Sequence, residues 1–434
     1  MKSDTCNDYH VAESRVASAD DICLISRCAK LLFENGQTTN ATLDSVQRIA
    51  EAGGFQATVF PRLDSLTIGI VDGSGSRYEV AAVGPVNVDM HKVVAASRVV
   101  DDVCERRLDP KAALATLEKI ARFPPVPISV FAFMAGTGAA ALGVIFGATH
   151  PLTLLLIAAV AGSGAYLRRW LAAISPNPFV QPFCAALLAG VVGAFAVRFG
   201  ISSELRLVAV CPCMVLVPGP HVLNSALDLA RGRIALGISR IVYASLILLM
   251  ISIGLLIGLS LGNVTLPVSA PSAPVPFAYD LVAAGVAVAA YGTFFAMPRR
   301  MLPIPIIVGM LAHAARWAMI STSFVGAVGG AFVACLIVGT IITPIVDRLR
   351  LPFGALAFAS VVSLIPGVFI FRMAGGLVEL INLGDKAPLD LIINTVADGT
   401  NAALITLAIS FGLILPKLCI EHFYPKSAVT AASA

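Results

Sequence analysis

His221, Asn224 and Asp228 stand at i, i+3 and i+7 behind Pro218-Gly219-Pro220, and Asn394, Asp398 and Asn401 stand at i, i+4 and i+7 in INTVADGTNAA. Each spacing puts its residues on one face of a helix. Both sets sit in stretches that are otherwise apolar. Asp398 lies about ten residues into its helix, which at ~1.5 Å per residue is near the middle of a bilayer. An acid at that depth is costly and marks a functional site by default, here a group that takes up and releases a proton. The plainer alternative is an Asn-paired residue that glues helices together. Asp228 is a second candidate for proton coupling, and its neighbours Arg231 and Arg233 equally suit an interfacial salt bridge.

Proline removes an amide donor and clashes with the preceding turn, so the helix is expected to break at Pro218-Gly219. The same device recurs: Leu216-Val217-Pro218-Gly219 and Leu364-Ile365-Pro366-Gly367 are 148 positions apart. A half-helix after such a break offers free amides and the positive end of its dipole, a seat for a carboxylate. The substrate-binding candidates are therefore Pro218, Gly219, His221, Asn224, Pro366, Gly367, Arg372, Asn394 and Asn401. Arg372 stands 148 positions after Asn224. It either holds a substrate carboxylate or pairs with an acid such as Glu379. Cys211-Pro212-Cys213 has the soft ligands of a Cu(I) or Zn site. The phosphorylated Asp motif and large nucleotide domains of heavy-metal pumps do not accompany it, which favours buried apolar cysteines and no metal or cofactor.

These residues need elements to hold them. Of the 434 residues 57% are hydrophobic and 13% charged, against about 25% charged in soluble domains; an integral membrane protein is expected. Residues 1–126 carry 14 of the 30 Lys and Arg, so the chain divides near Pro124–Pro127. Spanning helices need ~20 mostly apolar residues. That criterion selects about ten, near 127–146, 151–167, 178–197, 205–229, 235–261, 277–297, 302–318, 322–346, 352–380 and 389–416. The expected fold is a polytopic α-helical membrane protein of two inverted five-helix repeats, since an odd number of spans makes the second half enter from the opposite face. The halves are 127–261 and 277–417, joined by a Pro/Ser-rich linker at 262–276 and followed by a tail at 418–434.

The loops between these spans fix orientation. One side holds Arg168, Arg169, Arg231, Arg233, Arg240, Arg299, Arg300, Arg348 and Arg350, with Lys417 and Lys426 in the tail; the other holds Arg198, Arg206, Arg316 and Lys386. Both termini are then cytoplasmic. The first 21 residues are polar where the apolar core of a leader would be required, and residues 1–20 are expected to be a disordered tail. Residues 21–123 read as a small cytoplasmic α+β domain: helices near 21–35 and 41–52, strands at ATVFPR, LTIGIVD and YEVAAVG, then helices near 88–107 and 110–122. Gly73-Ser74-Gly75-Ser76 lies between two strands and is a hairpin turn, not a phosphate loop. Asp89, His91, Asp101 and Cys104 can be assembled on paper into a hydrolytic site, without a Gly-x-Ser-x-Gly motif to supply a nucleophile.

LFENGQTTNATLDSVQRIAEAGGF in the polar domain, LVPGPHVLNSALDLARG and RLRLPFGALAFASVVSLIPG together resemble the threonine/serine exporter family, over about residues 20–417. The resemblance implies a secondary active exporter of small hydroxy amino acids, threonine and serine, driven by proton antiport across the bacterial cytoplasmic (inner) membrane. Some bacteria split the family's two parts into separate chains, and split systems are linked with dicarboxylate export. Cys211-Pro212-Cys213 and Arg372 depart from the family pattern and keep a succinate-like dicarboxylate open as substrate. The implied partners are small polar amino acids, protons and the lipid bilayer, with no nucleic acid and with homo-oligomerisation left open. The rival of another class is a membrane-anchored hydrolase or sensor that uses the amino-terminal domain.

Overall fold

Ser18 and Asp21 start the first helix. In the computed structural model, the Ser18 hydroxyl accepts from the Asp21 amide while the Asp21 carboxylate takes the Ser18 amide, a capping box that satisfies two orphan donors. The structure describes residues 15–84, 87–200, 205–264, 266, 275–322, 325–349 and 351–423. The chain divides into two compact units, Met1–Pro124 and Pro125–Ala434.

In the first unit, α1 (Ala19–Glu34) and α2 (Thr39–Gly53) precede an antiparallel sheet of β1 (Gln56–Pro61), β2 (Ser65–Asp72) and β3 (Gly75–Ala82), followed by α3 (Met90–Cys104) and α4 (Pro110–Ala121). Leu66, Ile68 and Ile70 alternate along β2 and are fully buried, the period-two pattern of a strand with one covered face. The hairpin closes with Asp72 opposite Gly75, whose φ of 118° suits glycine. Asp72 gathers four donors: the Ser74 hydroxyl and amide, the Ala17 amide and Arg77. They hold its carboxyl well below the usual carboxylate range, led by the Ser74 hydroxyl and opposed by desolvation. Residues 15–20, expected as part of the tail, thus join the domain: Arg15 and Ala17 donate to Gly54 and Asp72, and Ala19 opens α1. Residues 1–14 of that tail lie outside the described residues.

The second unit contains α5 (Ile128–Ile145), α6 (Pro151–Ile174), α7 (Val180–Arg198), α8 (Leu205–Met214), α9 (Gly219–Ala230) and α10 (Ile234–Leu261). After the linker come α11 (Phe277–Phe294), α12 (Pro303–Ser321), α13 (Ala327–Leu349), α14 (Phe353–Val361), α15 (Gly367–Leu383) and α16 (Leu389–Phe423). Among the described residues nine helices are long and apolar enough to cross a membrane, or ten with α8 and α9 counted as one bent span. The same neighbours recur in both sets. As α7 packs on α10, α13 packs on α16; α6 meets α8 as α12 meets α14.

The broken segments differ from one another. Between α8 and α9 the axis bends by 52° and neither piece spans alone, whereas α15 with the turn that follows it, Gly367–Lys386, is long enough and α14 is a short, fully buried addition. Several charges expected in loops lie inside helices. Arg168 and Arg169 sit in α6, which runs to Ile174 and not to 167; Arg240 sits in α10, Arg316 in α12 and Lys417 in α16. A charge ends an apolar window in a sequence scan, but a helix continues until its backbone hydrogen bonds stop. Most of the linker (265 and 267–274) and the end of the tail (424–434) lie outside the described residues.

Candidate functional site at two broken helices

The helix α8 already carries Pro212 within its length, and Pro218 immediately precedes the start of α9. Two glycines then let the two sets of helices close on each other. A Cβ on Gly219 would lie 1.6 Å from the Phe358 ring of α14, and one on Gly367 would lie 2.8 Å from Cγ of Met214 in α8. The start of α9 is thus covered by the helix before the second break, and the start of α15 by the helix before the first. Neither start has a side-chain cap, the preceding residue being Pro218 or Pro366. Tyr291 of α11 donates its hydroxyl to the Met214 carbonyl at 2.9 Å, closing the C-terminal end of α8.

Arg372 and Asp398 come together. The Arg372 Nε lies 3.0 Å from Asp398 Oδ2 between α15 and α16, and both residues are buried. The expected choice for Arg372 between substrate and an acid such as Glu379 therefore takes a different form: its ion-pair partner is the candidate proton carrier itself. Asn224 is buried with its side chain against Gly354 at the start of α14. His221 is half-buried, its ring 5.1 Å from that of Tyr243.

Asp228 lies at the far end of α9. It is buried and held by Arg240 at 3.0 Å and Arg233 at 3.4 Å. Of its two expected neighbours, Arg233 binds it while Arg231 pairs with Glu421 near the end of α16. Asn394 and Asn401 do not join Asp398 in one buried cluster. The buried stripe of α16 there runs through Thr395, Asp398 and Ala402, leaving Asn394 exposed and Asn401 half-buried.

Two features escaped the sequence reading. His313, fully buried in α12, has Nδ1 3.0 Å from Asp280 in the first turn of α11. Arg240, expected in a loop, lies in α10 as the buried partner of Asp228. In both cases the available signal was an ionisable residue inside an apolar run long enough to span.

The competing sites resolve into structural contacts. Cys211 and Cys213 are buried, and the Cys213 thiol donates to the Ala209 carbonyl at 3.3 Å. No group of three potential metal-binding side chains occurs among the described residues. In the first unit Asp89 caps α3 through the Lys92 amide, His91 stacks on Phe123, and Asp101 pairs with Arg48 at 2.8 Å. Burial raises the Cys104 thiol and pushes that of Cys28 up to about 12, both away from the thiolate a nucleophile needs.

A threonine/serine exporter family model matches residues 23–262, and a second threonine/serine exporter model, ThrE, matches residues 280–419. No curated protein and no solved structure matches the chain.

Proposed function

The chain belongs to the threonine/serine exporter family, and from that premise we propose that it is a secondary active exporter of threonine and serine driven by proton antiport. The two sets of helices act as inverted repeats, 127–261 and 277–417, with both termini and the amino-terminal domain (21–123) on the cytoplasmic side of a bacterial inner membrane. The broken segments at Pro218-Gly219 and Pro366-Gly367 line the substrate site; at the start of α9 the Gly219 and His221 amides already donate to the Val217 and Pro218 carbonyls and Pro220 has no amide proton, so a side chain, and not that helix start, holds the substrate carboxylate. His221 and Asn224 shape the polar end.

The observation that carries the reading is the buried pair of Arg372, about one and a half turns into α15, with Asp398 of α16. A proton taken up by Asp398 cancels its charge and leaves Arg372 without its counter-ion. That is a two-state element whose balance substrate and proton both bias. The same pair weighs against a succinate-like substrate, because Arg372 is already engaged by a carboxylate of the chain when Asp398 is ionised. Asp228, held by two arginines, is assigned to structure and not to coupling.

The test is efflux of labelled threonine, serine and succinate from preloaded proteoliposomes, with and without a pH gradient. Wild type moves the hydroxy amino acids and responds to the gradient, and Asp398→Asn loses that response. Movement of succinate alone would replace the substrate, and flux that ignores the gradient in wild type would remove the antiport.

A further inference from the structure

Arg168 lies in α6 six residues before its end, or about 9 Å at 1.5 Å per residue. Its Nε is buried without a hydrogen-bond partner, and its guanidinium stands 5.4 Å from the centroid of the Phe294 ring. Arg168 lines a narrow cleft with Gly164, Pro212, Val215, Leu216 and Phe294. Three of these residues belong to the last turn of α8 and the break after it, so the cleft opens onto the first broken helix.

Arg168 is half-buried as a residue, and among the described residues the fully buried cations of this unit have carboxylates: Arg240 has Asp228, Arg372 has Asp398, and Lys417 has Glu421. Arg169, next in sequence, donates to the Val126 carbonyl at 2.9 Å and lies over the Phe131 ring. Arg168 has no carboxylate partner among the described residues. The second set of helices sharpens the contrast. The residue 148 positions after Arg168 is Arg316 in α12, which has Asp280 as a nearby opposite charge; the residue 148 positions before Asp280 is Ala132. The second half supplies a counter-charge from its own chain where the first half has a methyl group.

A desolvated cation is costly until it is paired, and the planar guanidinium matches a carboxylate with two parallel hydrogen bonds. We infer that Arg168 binds the carboxylate of the transported amino acid in the cleft beside Pro212, Val215 and Leu216. The inference rests on the carrier reading above and names the cation that recognises the substrate. Binding at that cleft presses on the residues of the break itself, so occupancy is communicated to α8 and α9 directly.

The experiment measures threonine efflux from proteoliposomes of the full-length protein for wild type, Arg168→Gln and Arg168→Lys, with L-threoninamide as competitor. Threoninamide keeps the ammonium and hydroxyl groups but lacks the carboxylate. Arg168→Gln is expected to raise the half-saturating threonine concentration at least tenfold, about 1.4 kcal/mol, with a smaller change in maximal rate. Arg168→Lys recovers part of that loss, keeping the charge without the fork. Threoninamide competes at least tenfold more weakly than threonine in wild type. Unchanged half-saturation in Arg168→Gln, or threoninamide competing as well as threonine, overturns the assignment while the carrier reading stands. If Arg168→Gln does not fold, Arg168→Lys and the competition in wild type decide. A wild type that moves neither threonine nor serine removes the carrier reading, and the assignment falls with it.

Discussion

The helices α9 and α15 begin with the same Pro-Gly step and diverge within two turns. After the first break the chain places Asn224 against Gly354, and the nearest buried acid, Asp228, lies at the far end of α9 with Arg240 and Arg233 around it. After the second break the equivalent position is Arg372, paired with Asp398. One break is thus neutral at its polar position, while the other carries a cation and an acid whose charges cancel. The backbone device is shared, but only the second copy carries a buried ion pair at that position.

The comparison breaks most visibly at the ion pairs. Arg372→Gln leaves a buried carboxylate uncompensated, a loss of about 3–5 kcal/mol, which thermal unfolding of the detergent-purified protein reads; adding Asp398→Asn restores most of it. The single Asp398→Asn variant is also destabilised, through an unpaired Arg372, and the molecules that fold lose the response of efflux to a pH gradient. Asp228→Asn is expected to be destabilised by a similar amount, through Arg240, while the molecules that fold keep the gradient response. Loss of that response in Asp228→Asn, to the extent seen in Asp398→Asn, would erase the distinction between the two helices.

A smaller effect separates the two glycines. Inserting a methyl group into a packed site costs typically about 1–3 kcal/mol. Gly219→Ala meets the rigid Phe358 ring and belongs at the upper end, whereas Gly367→Ala meets the flexible Met214 side chain and belongs at the lower. Unfolding temperatures in the reverse order would contradict the geometry, and Phe358→Leu is expected to relieve Gly219→Ala only.

The smallest effect on transport comes from the amino-terminal unit. Because the folded Asp72 carboxyl is held below its ordinary value, it contributes stability that is full above pH ~4 and is lost as pH falls through the lower folded value. Asp72→Asn removes that contribution. Amide exchange over residues 72–77 in the full-length protein is expected to be faster in the variant at neutral pH and to converge with wild type in acid. A difference that grows on acidification would refute the assignment.

The sequence made some of this legible and hid the rest for identifiable reasons. The two breaks can be read because proline and glycine act locally and recur at a fixed interval. The partnership of Arg372 with Asp398 spans two helices and the turn between them, and helical periodicity does not say which faces meet. The i, i+4 spacing of Asn394 and Asp398 is correct for a helix, yet α16 packs along Thr395, Asp398 and Ala402, so Asn394 turns away. Arg168 and Arg240 were hidden by their charge, which suggested water where the helix continues among apolar neighbours. In the amino-terminal unit, alternating residues of β2 and the Gly-rich turn were sufficient to place the hairpin.

The mutual covering of the two breaks has a consequence for how the protein is made. Gly219 leaves the ribosome about 140 residues before Phe358, on the order of ten seconds earlier at roughly 5–20 residues per second. During that interval Gly219 at the start of α9 lacks the Phe358 ring that covers it, and the first half carries an unfinished seam until the second is inserted. Biogenesis therefore depends on the later half arriving as a clamp on the earlier one.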